Sequence, residues 1–345
     1  MKAAIYRSIE KIEICEVPKP ICKNDGVVIK VEACAICGSD VRTYFKGTSY
    51  VHPNTIIGHE VVGTVEEVGS EVDGICLGER LAIGPIIPCG ECFYCRRGLQ
   101  HLCQFEEDFG GKYPGGFAEY MYINSKAIKL GSVSKIPKNL SFNEGTLAEP
   151  LSSVIKAHEL ANTKLGDTVV VIGAGPVGCM HVEMARIRGA QKIIQTEVSS
   201  KRIEMSKRFG ADVIINAITE EPIARIMKET DNFGANLVIC ASPSVEIARD
   251  ALKMVCRGGT VLLFAGFPKD KPTVEIDGNL VHYNDICVLG TIGFTPRHFH
   301  MSIELISKRI IDPKKYITGI LPLEKVAEGI EKVSRGEELK LVIVP

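Results

Sequence analysis

No charge of one sign predominates in this chain of 345 residues: 41 Lys and Arg face 42 Asp and Glu, for a net charge of −1. That balance offers no general attraction to phosphate backbones or anionic bilayers, so neither a nucleic acid nor a membrane is expected as a partner. Long apolar runs are also missing. Stretches such as residues 168–175 and 286–290 fall far short of the roughly 20 residues of a membrane span. The N-terminus, MKAAIYRSIEKIEI, is charged where an export signal needs an unbroken apolar stretch. A soluble, cytoplasmic protein is expected. Low-complexity tracts, internal repeats and flexible linkers are absent as well. What is present is a globular composition, 45% apolar and 24% charged, with room for about two domains of ~150 residues each. A chain of this size builds its core without disulfide staples. Its 13 cysteines, an odd number without an export signal, therefore point to reduced thiols, metal ligands or core residues.

The hydrophobic period changes along the chain. Early apolar segments, including residues 27–32 and 61–68, are short and broken by Gly and Pro, as in the strands of a small irregular barrel. From Thr168 the pattern alternates. Strands are expected at 168–172, 192–197, 213–216, 236–240 and 260–264, with helices between them, for example 177–188 and 200–209. Such alternation predicts a parallel sheet with helices on both faces. The tail adds two helical patterns, 302–307 and 323–334, and a strand, 340–344, that can return to the first domain. The fold class expected is α/β, with a nucleotide-binding domain inserted into a catalytic one.

The first of those strands runs into Gly173-Ala174-Gly175-Pro176-Val177-Gly178. In this G-x-G-x-x-G pattern the first glycine permits the tight turn, the second admits a pyrophosphate, and the third lets helix and strand pack closely. The helix N-terminus offers free N–H groups to the phosphate. The next strand ends on Glu197, the acidic position that a dinucleotide site needs. A carboxylate there accepts bonds from a ribose hydroxyl and repels a 2′-phosphate, which favours NAD over NADP. Arg202 is a counterweight, since it is placed to reach an adenosine phosphate.

Cys89, Cys92, Cys95 and Cys103 put four thiols in one Pro/Gly-rich loop. Four thiolates close a tetrahedral shell around zinc and leave no place for water, so this site is structural. An iron–sulfur cluster is the rival, but its usual cysteine run has a shorter last gap followed by Pro, and here Gln104 follows. A second, dispersed set comprises Cys37, His59, Glu60 and Glu149. Three such ligands with one open position would make a catalytic zinc. Taken singly, each has an ordinary reading as a buried thiol, a core histidine or a solvated carboxylate.

Together with Gly115-Gly116-Phe117-Ala118-Glu119-Tyr120 and Glu149-Pro150-Leu151-Ser152, these blocks resemble the zinc-dependent medium-chain dehydrogenase/reductase superfamily, in its sorbitol or polyol dehydrogenase-like branch. The resemblance implies a GroES-like β-barrel catalytic domain, residues 1–152 and 291–345, with a structural zinc lobe at 88–104. It also implies a Rossmann domain with a doubly wound parallel sheet, residues 153–290. Two zinc ions per subunit, NAD and a homodimer or homotetramer come with it. Cys37 and His59 match catalytic metal ligands, and Glu60 and Glu149 both match positions that supply the third. Ser39 resembles a proton-relay hydroxyl, and a turn-capping serine is the alternative. Asp40 either orients His59 or pairs with a basic residue.

The activity implied is oxidation of a secondary alcohol of a polyol (sorbitol- or L-iditol-like) by NAD⁺, giving a ketose. Alternatives are a sugar-alcohol-phosphate (galactitol-1-phosphate-like) dehydrogenase, an L-threonine 3-dehydrogenase, or a non-catalytic nucleotide-binding structural protein. Arg42, Arg297, His298 and His300 are candidate phosphate ligands, though a solvated basic loop explains them equally well. Where animal sorbitol dehydrogenases carry an Arg-Tyr pair against substrate, this chain has Phe294-Thr295, so the polyol-binding residues do not transfer as a set.

Overall fold

A computed structural model describes all residues, 1–345. It divides into two compact units, one of residues 1–152 and 294–345, the other of residues 153–293. The second unit thus extends three residues past the expected limit at 290.

The first unit is built on antiparallel strands. Its main sheet runs in the spatial order Val133–Lys135, Arg80–Ile83, Glu60–Val68, Val27–Ala35, Lys340–Val344, Ile317–Pro322, with Tyr120–Ile123 also paired to Val27–Ala35. A three-stranded sheet places Lys2–Ser8 between Lys11–Glu16 and Thr55–Ile56. Val27–Ala35 is buried along most of its length, because it lies at the centre of the main sheet rather than on a half-wetted face. Two register shifts against Glu60–Val68, at Val28/Ile29 and Val31/Ala33, bend the pair and raise its twist, as bulges do. The curled sheets form the GroES-like barrel. Its core gathers Ile29, Ile57, Leu81, Phe117 and Met121. The tail returns to this unit: Val342 pairs with Ala35 and Ile343 with Cys34.

The second unit is a six-stranded sheet in the order Val213–Asn216, Lys192–Glu197, Thr168–Ile172, Ala235–Cys240, Val255–Leu263, Cys287–Gly290. Every neighbouring pair is parallel. Numbered along the chain the order is 3-2-1-4-5-6, the doubly wound arrangement of a Rossmann domain. Its central strand, Thr-Val-Val-Val-Ile, is buried from the second residue onward, as a strand covered on both faces must be. The sixth strand has only four residues, at most half-buried, and its sequence lacks a distinguishing period. The expected helix 200–209 is α-helical over Ser200–Ser206 and tightens to 3₁₀ over Lys207–Phe209. The expected tail helix 302–307 begins earlier, at Pro296.

Candidate active site

Beyond Val27–Ala35 the chain turns into the helix Gly38–Lys46, with Cys37 as its N-cap. The Cys37 N–H donates to Asp40 Oδ2 at 2.9 Å, so an acidic first-turn residue closes the helix start. The neighbouring strand begins at Glu60, and Ala35 pairs directly with it. Gly58 makes the turn into that strand at φ +92°, where a Cβ would come within 2.8 Å of the Phe117 ring and 2.9 Å of Cys34 Sγ. Only glycine meets both demands. Adjacent strands thus bring the ligand atoms of Cys37, His59 and Glu60 within 4.8 Å of one another.

His59 is held from both sides of its ring. Ser39 Oγ lies 3.2 Å from Nε2 and Asp40 Oδ1 lies 3.5 Å from Nδ1. Burial opposes a charge on this ring, but Asp40 and Cys37 outweigh it and hold the pKa well above the ordinary value. A carboxylate at Nδ1 is the usual means of fixing a histidine whose Nε2 binds a metal. Of the two readings of Asp40, the one that orients His59 is the geometry found.

Glu60 is completely buried, and both of its oxygens accept from Lys340 Nζ at 2.6 Å. Lys340 also donates to the Ile36 carbonyl at 3.3 Å. Glu149 stands apart from the three-residue group but lines the same cavity, with no hydrogen-bond partner. Burial pushes its carboxyl up to about 7. The cavity measures about 430 Å³, and Ser39, His59, Glu149, Tyr50, Glu106 and Asp108 are among its lining residues. A thiolate, an imidazole and a carboxylate beside an open space match a zinc site that keeps one position for substrate.

The cysteine lobe is closed instead. Its four sulfurs also lie within 4.8 Å of one another, with 3.9 Å separating Cys89 from Cys95 and Cys92 from Cys103. Zn–S bonds of about 2.3 Å in a tetrahedron require sulfurs about 3.8 Å apart. Backbone N–H groups of Cys92, Cys89 and Phe105 point at sulfurs at 3.2–3.4 Å. The Cys95 amide draws the Cys92 thiol down to about 6, while burial drives Cys95 up to about 12. Thiols competing for charge in so small a volume fit a dication.

In the second unit the strand Thr168–Ile172 ends at Gly173 (φ +109°), and the helix Pro176–Ile187 starts from Gly175 as N-cap. A Cβ on Gly178 would sit 2.1 Å from the Gly173 carbonyl oxygen, whereas Gly175 faces open space. The helix therefore seats against the turn, and the middle glycine leaves room for a ligand. Glu197 is drawn to the same turn: Oε2 accepts from the Ala174 N–H at 2.8 Å, and Oε1 from Val198 and Ser199. Arg202 lies on the following helix, Ser200–Ser206, half-buried and without an ion pair.

The alcohol dehydrogenase GroES-like domain family matches residues 23–137, and the zinc-binding dehydrogenase family matches residues 176–308. Sorbitol dehydrogenase of Bacillus subtilis is 32% identical over 354 residues, covering 100% of this chain and 97% of that protein. The chain belongs to the zinc-dependent medium-chain dehydrogenases. L-threonine 3-dehydrogenase of Pyrococcus furiosus is equally similar, 32% over 352 residues with the same coverage. Among solved structures, a zinc-binding dehydrogenase from Sinorhizobium meliloti bound to NADP superposes with a TM-score of 0.93 at 27% identity, covering 100% of this chain and 99% of that one.

Two features of the dehydrogenase depart from the sequence reading. The basic residues 297–300 do not form a loop; they begin the helix Pro296–Ser307. His298 is buried there, with Nδ1 2.7 Å from Thr295 Oγ1, and Arg297 lies over its Nε2 at 3.1 Å. Arg42, Arg297, His298 and His300 are all absent from the cavity lining. Phe294 stacks on Phe299 with ring centroids 5.7 Å apart, so it serves the core. The residue overlooked was Lys340. A lysine heading the otherwise apolar strand Lys-Leu-Val-Ile-Val was the available signal, since a buried lysine needs a buried partner.

Proposed function

We propose that this dehydrogenase oxidises a secondary hydroxyl of a polyol of the sorbitol or L-iditol type to a ketone, giving a ketose, with NAD⁺ as hydride acceptor. The observation that carries this reading is the Cys37–His59–Glu60 group beside a cavity with acceptor-rich walls and no lysine or arginine. Bound zinc supplies a Lewis acid that favours negative charge on the substrate oxygen, and a bound nicotinamide supplies the hydride acceptor. Cys37 and His59 are the assigned metal ligands, with the third place open to Glu60 or Glu149. Asp40 holds the His59 ring. Ser39 Oγ, 3.2 Å from Nε2, is placed to take the proton of the substrate hydroxyl and pass it towards solvent. In the second unit, Gly173, Gly175 and Gly178 shape the turn, with Pro176 and Val177 opening the helix above the pyrophosphate. Glu197 then takes the adenosine ribose and Arg202 flanks it.

The preference for NAD⁺ rests on the Glu197 carboxylate, although a structural relative binds NADP, so both cofactors belong in the test. A phosphorylated sugar alcohol would need a cation that the cavity lacks. A cytoplasmic homodimer or homotetramer completes the proposal; the compartment is supported by 13 cysteines, none of them in a disulfide.

The test is reduction of NAD⁺ and NADP⁺ by zinc-loaded protein offered free polyols, their monophosphates and L-threonine. Turnover of free polyols with NAD⁺ is expected. Cys37→Ala should abolish it while leaving folding and the lobe zinc intact. Undiminished activity in that variant refutes the metal assignment.

A further inference from the structure

The wall of the cavity opposite the metal group carries charge that the polyol reading leaves unused. Successive side chains in an extended segment point to opposite sides, and residues 106–108 obey that rule. Glu107 turns away and takes both nearby cations, pairing with Lys112 and, at 3.1 Å, with Lys126. Glu106 and Asp108 line the cavity. Glu106 is exposed at the cavity wall and has no hydrogen bond or ion pair. Asp108 uses one oxygen to accept the Lys112 backbone N–H at 2.9 Å. Across the cavity, the Glu149 carboxyl is likewise unpartnered. The four carboxyl groups of the lining (Asp40, Glu106, Asp108 and Glu149) face one histidine and no lysine or arginine. Tyr50, half-exposed, adds an aromatic ring to the same wall, and ring faces attract ammonium groups.

We infer that the alcohol oxidised here carries a protonated amine and no anionic group, and that Glu106 and Asp108 are the specificity-determining residues that hold the ammonium. The inference rests on the dehydrogenase reading of this cavity, and within that reading it has the site prefer amino-substituted polyols and their amino-alcohol analogues over neutral ones. Phosphate esters and α-amino acids would place negative charge beside the same carboxylates.

The experiment uses full-length, zinc-loaded protein with saturating NAD⁺ and matched substrates. Sorbitol is set against 1-amino-1-deoxysorbitol and sorbitol 6-phosphate, propane-1,2-diol against 1-aminopropan-2-ol, and L-threoninol against L-threonine. In each pair the substrate that carries an ammonium and no anionic group should show a kcat/KM at least about tenfold higher, a coupling near 1.4 kcal/mol, mainly through KM. That preference should fade as pH passes the amine's own pKa. Glu106→Gln and Asp108→Asn should each shrink the ratio several-fold; the amide introduced by Asp108→Asn keeps a carbonyl that accepts the Lys112 N–H. Equal or better use of the neutral or phosphorylated partner overturns the inference and leaves the dehydrogenase reading standing. An ammonium preference untouched by either substitution overturns the assignment of these two residues. Failure to reduce NAD⁺ or NADP⁺ with any alcohol overturns both readings together.

Discussion

Replacing Lys340 with Met tests the buried pair that flanks the metal group. Lys340 is 2% exposed and Glu60 0%, and both carboxylate oxygens lie 2.6 Å from the ammonium. With the lysine gone, the carboxylate remains in a dry site with no counter-charge. Breaking such a pair from one side costs about 3–5 kcal/mol, whereas removing both charges is often close to neutral. In a unit of roughly 200 residues each kcal/mol lowers Tm by about 2–4 °C, so a fall of about 6–20 °C is expected. Lys340→Met combined with Glu60→Gln should recover at least about 2 kcal/mol of the loss, because the uncompensated charge is gone. Urea denaturation of the wild type, the single variant and the double variant, all with zinc present, supplies the comparison. A loss below about 1 kcal/mol, or a double variant no more stable than the single, would show that the pair is not the closed, dry contact described.

Acid should weaken the second unit through its two buried histidines. His158 Nδ1 meets Thr163 Oγ1 at 2.8 Å and its Nε2 meets His181 Nδ1 at 3.1 Å, while His181 Nε2 has no partner. Burial lowers His158 to about 3 and His181 well below its ordinary value. Both are neutral when folded but protonate near pH 6.5 when unfolded, so stability falls as pH drops below 6.5, by about 1.4 kcal/mol per pH unit for each group. Melting curves between pH 7 and 5 should flatten in His158→Gln; an unchanged slope counts against the assignment. Gly178→Ala should eliminate binding of reduced nicotinamide cofactor, measured by its fluorescence, because the new methyl meets the Gly173 carbonyl at 2.1 Å; normal binding would mean that the turn yields. Cys103→Ser should halve the zinc content and expose residues 88–104 to protease, and full zinc retention would break the four-thiolate assignment.

The two kinds of periodicity announced the two units, and the inserted sheet was readable almost strand by strand, since buried parallel strands such as Val169–Ile172 are continuous apolar runs. The short edge strand Cys287–Gly290 was not readable, because four half-exposed residues carry no period. Spacing alone revealed the lobe, whose ligands are local. The Cys37–His59–Glu60 group needed the resemblance to a known family, because its members meet only through the pairing of Ala35 with Glu60. The role of Lys340 depends on a contact 280 residues away and left no local trace beyond a misplaced charge. Glu106 and Asp108 carry no motif in the sequence, and only the structure sets them on the cavity side.

The return of the Lys340–Val344 strand to Val27–Ala35 also sets a timetable for biosynthesis. Glu60 is made 280 residues before its counter-ion, and at about 5–20 residues per second the wait lasts roughly 15–60 s. Residues 153–293 emerge whole during that interval, with every strand of their sheet already available. The enclosing barrel must keep a place vacant beside Val27–Ala35 until residues 340–344 are translated. A nascent chain interrupted late would thus carry a finished inserted unit together with an unsealed barrel, its Cys37 thiol open to oxidants and its free strand edge open to other chains.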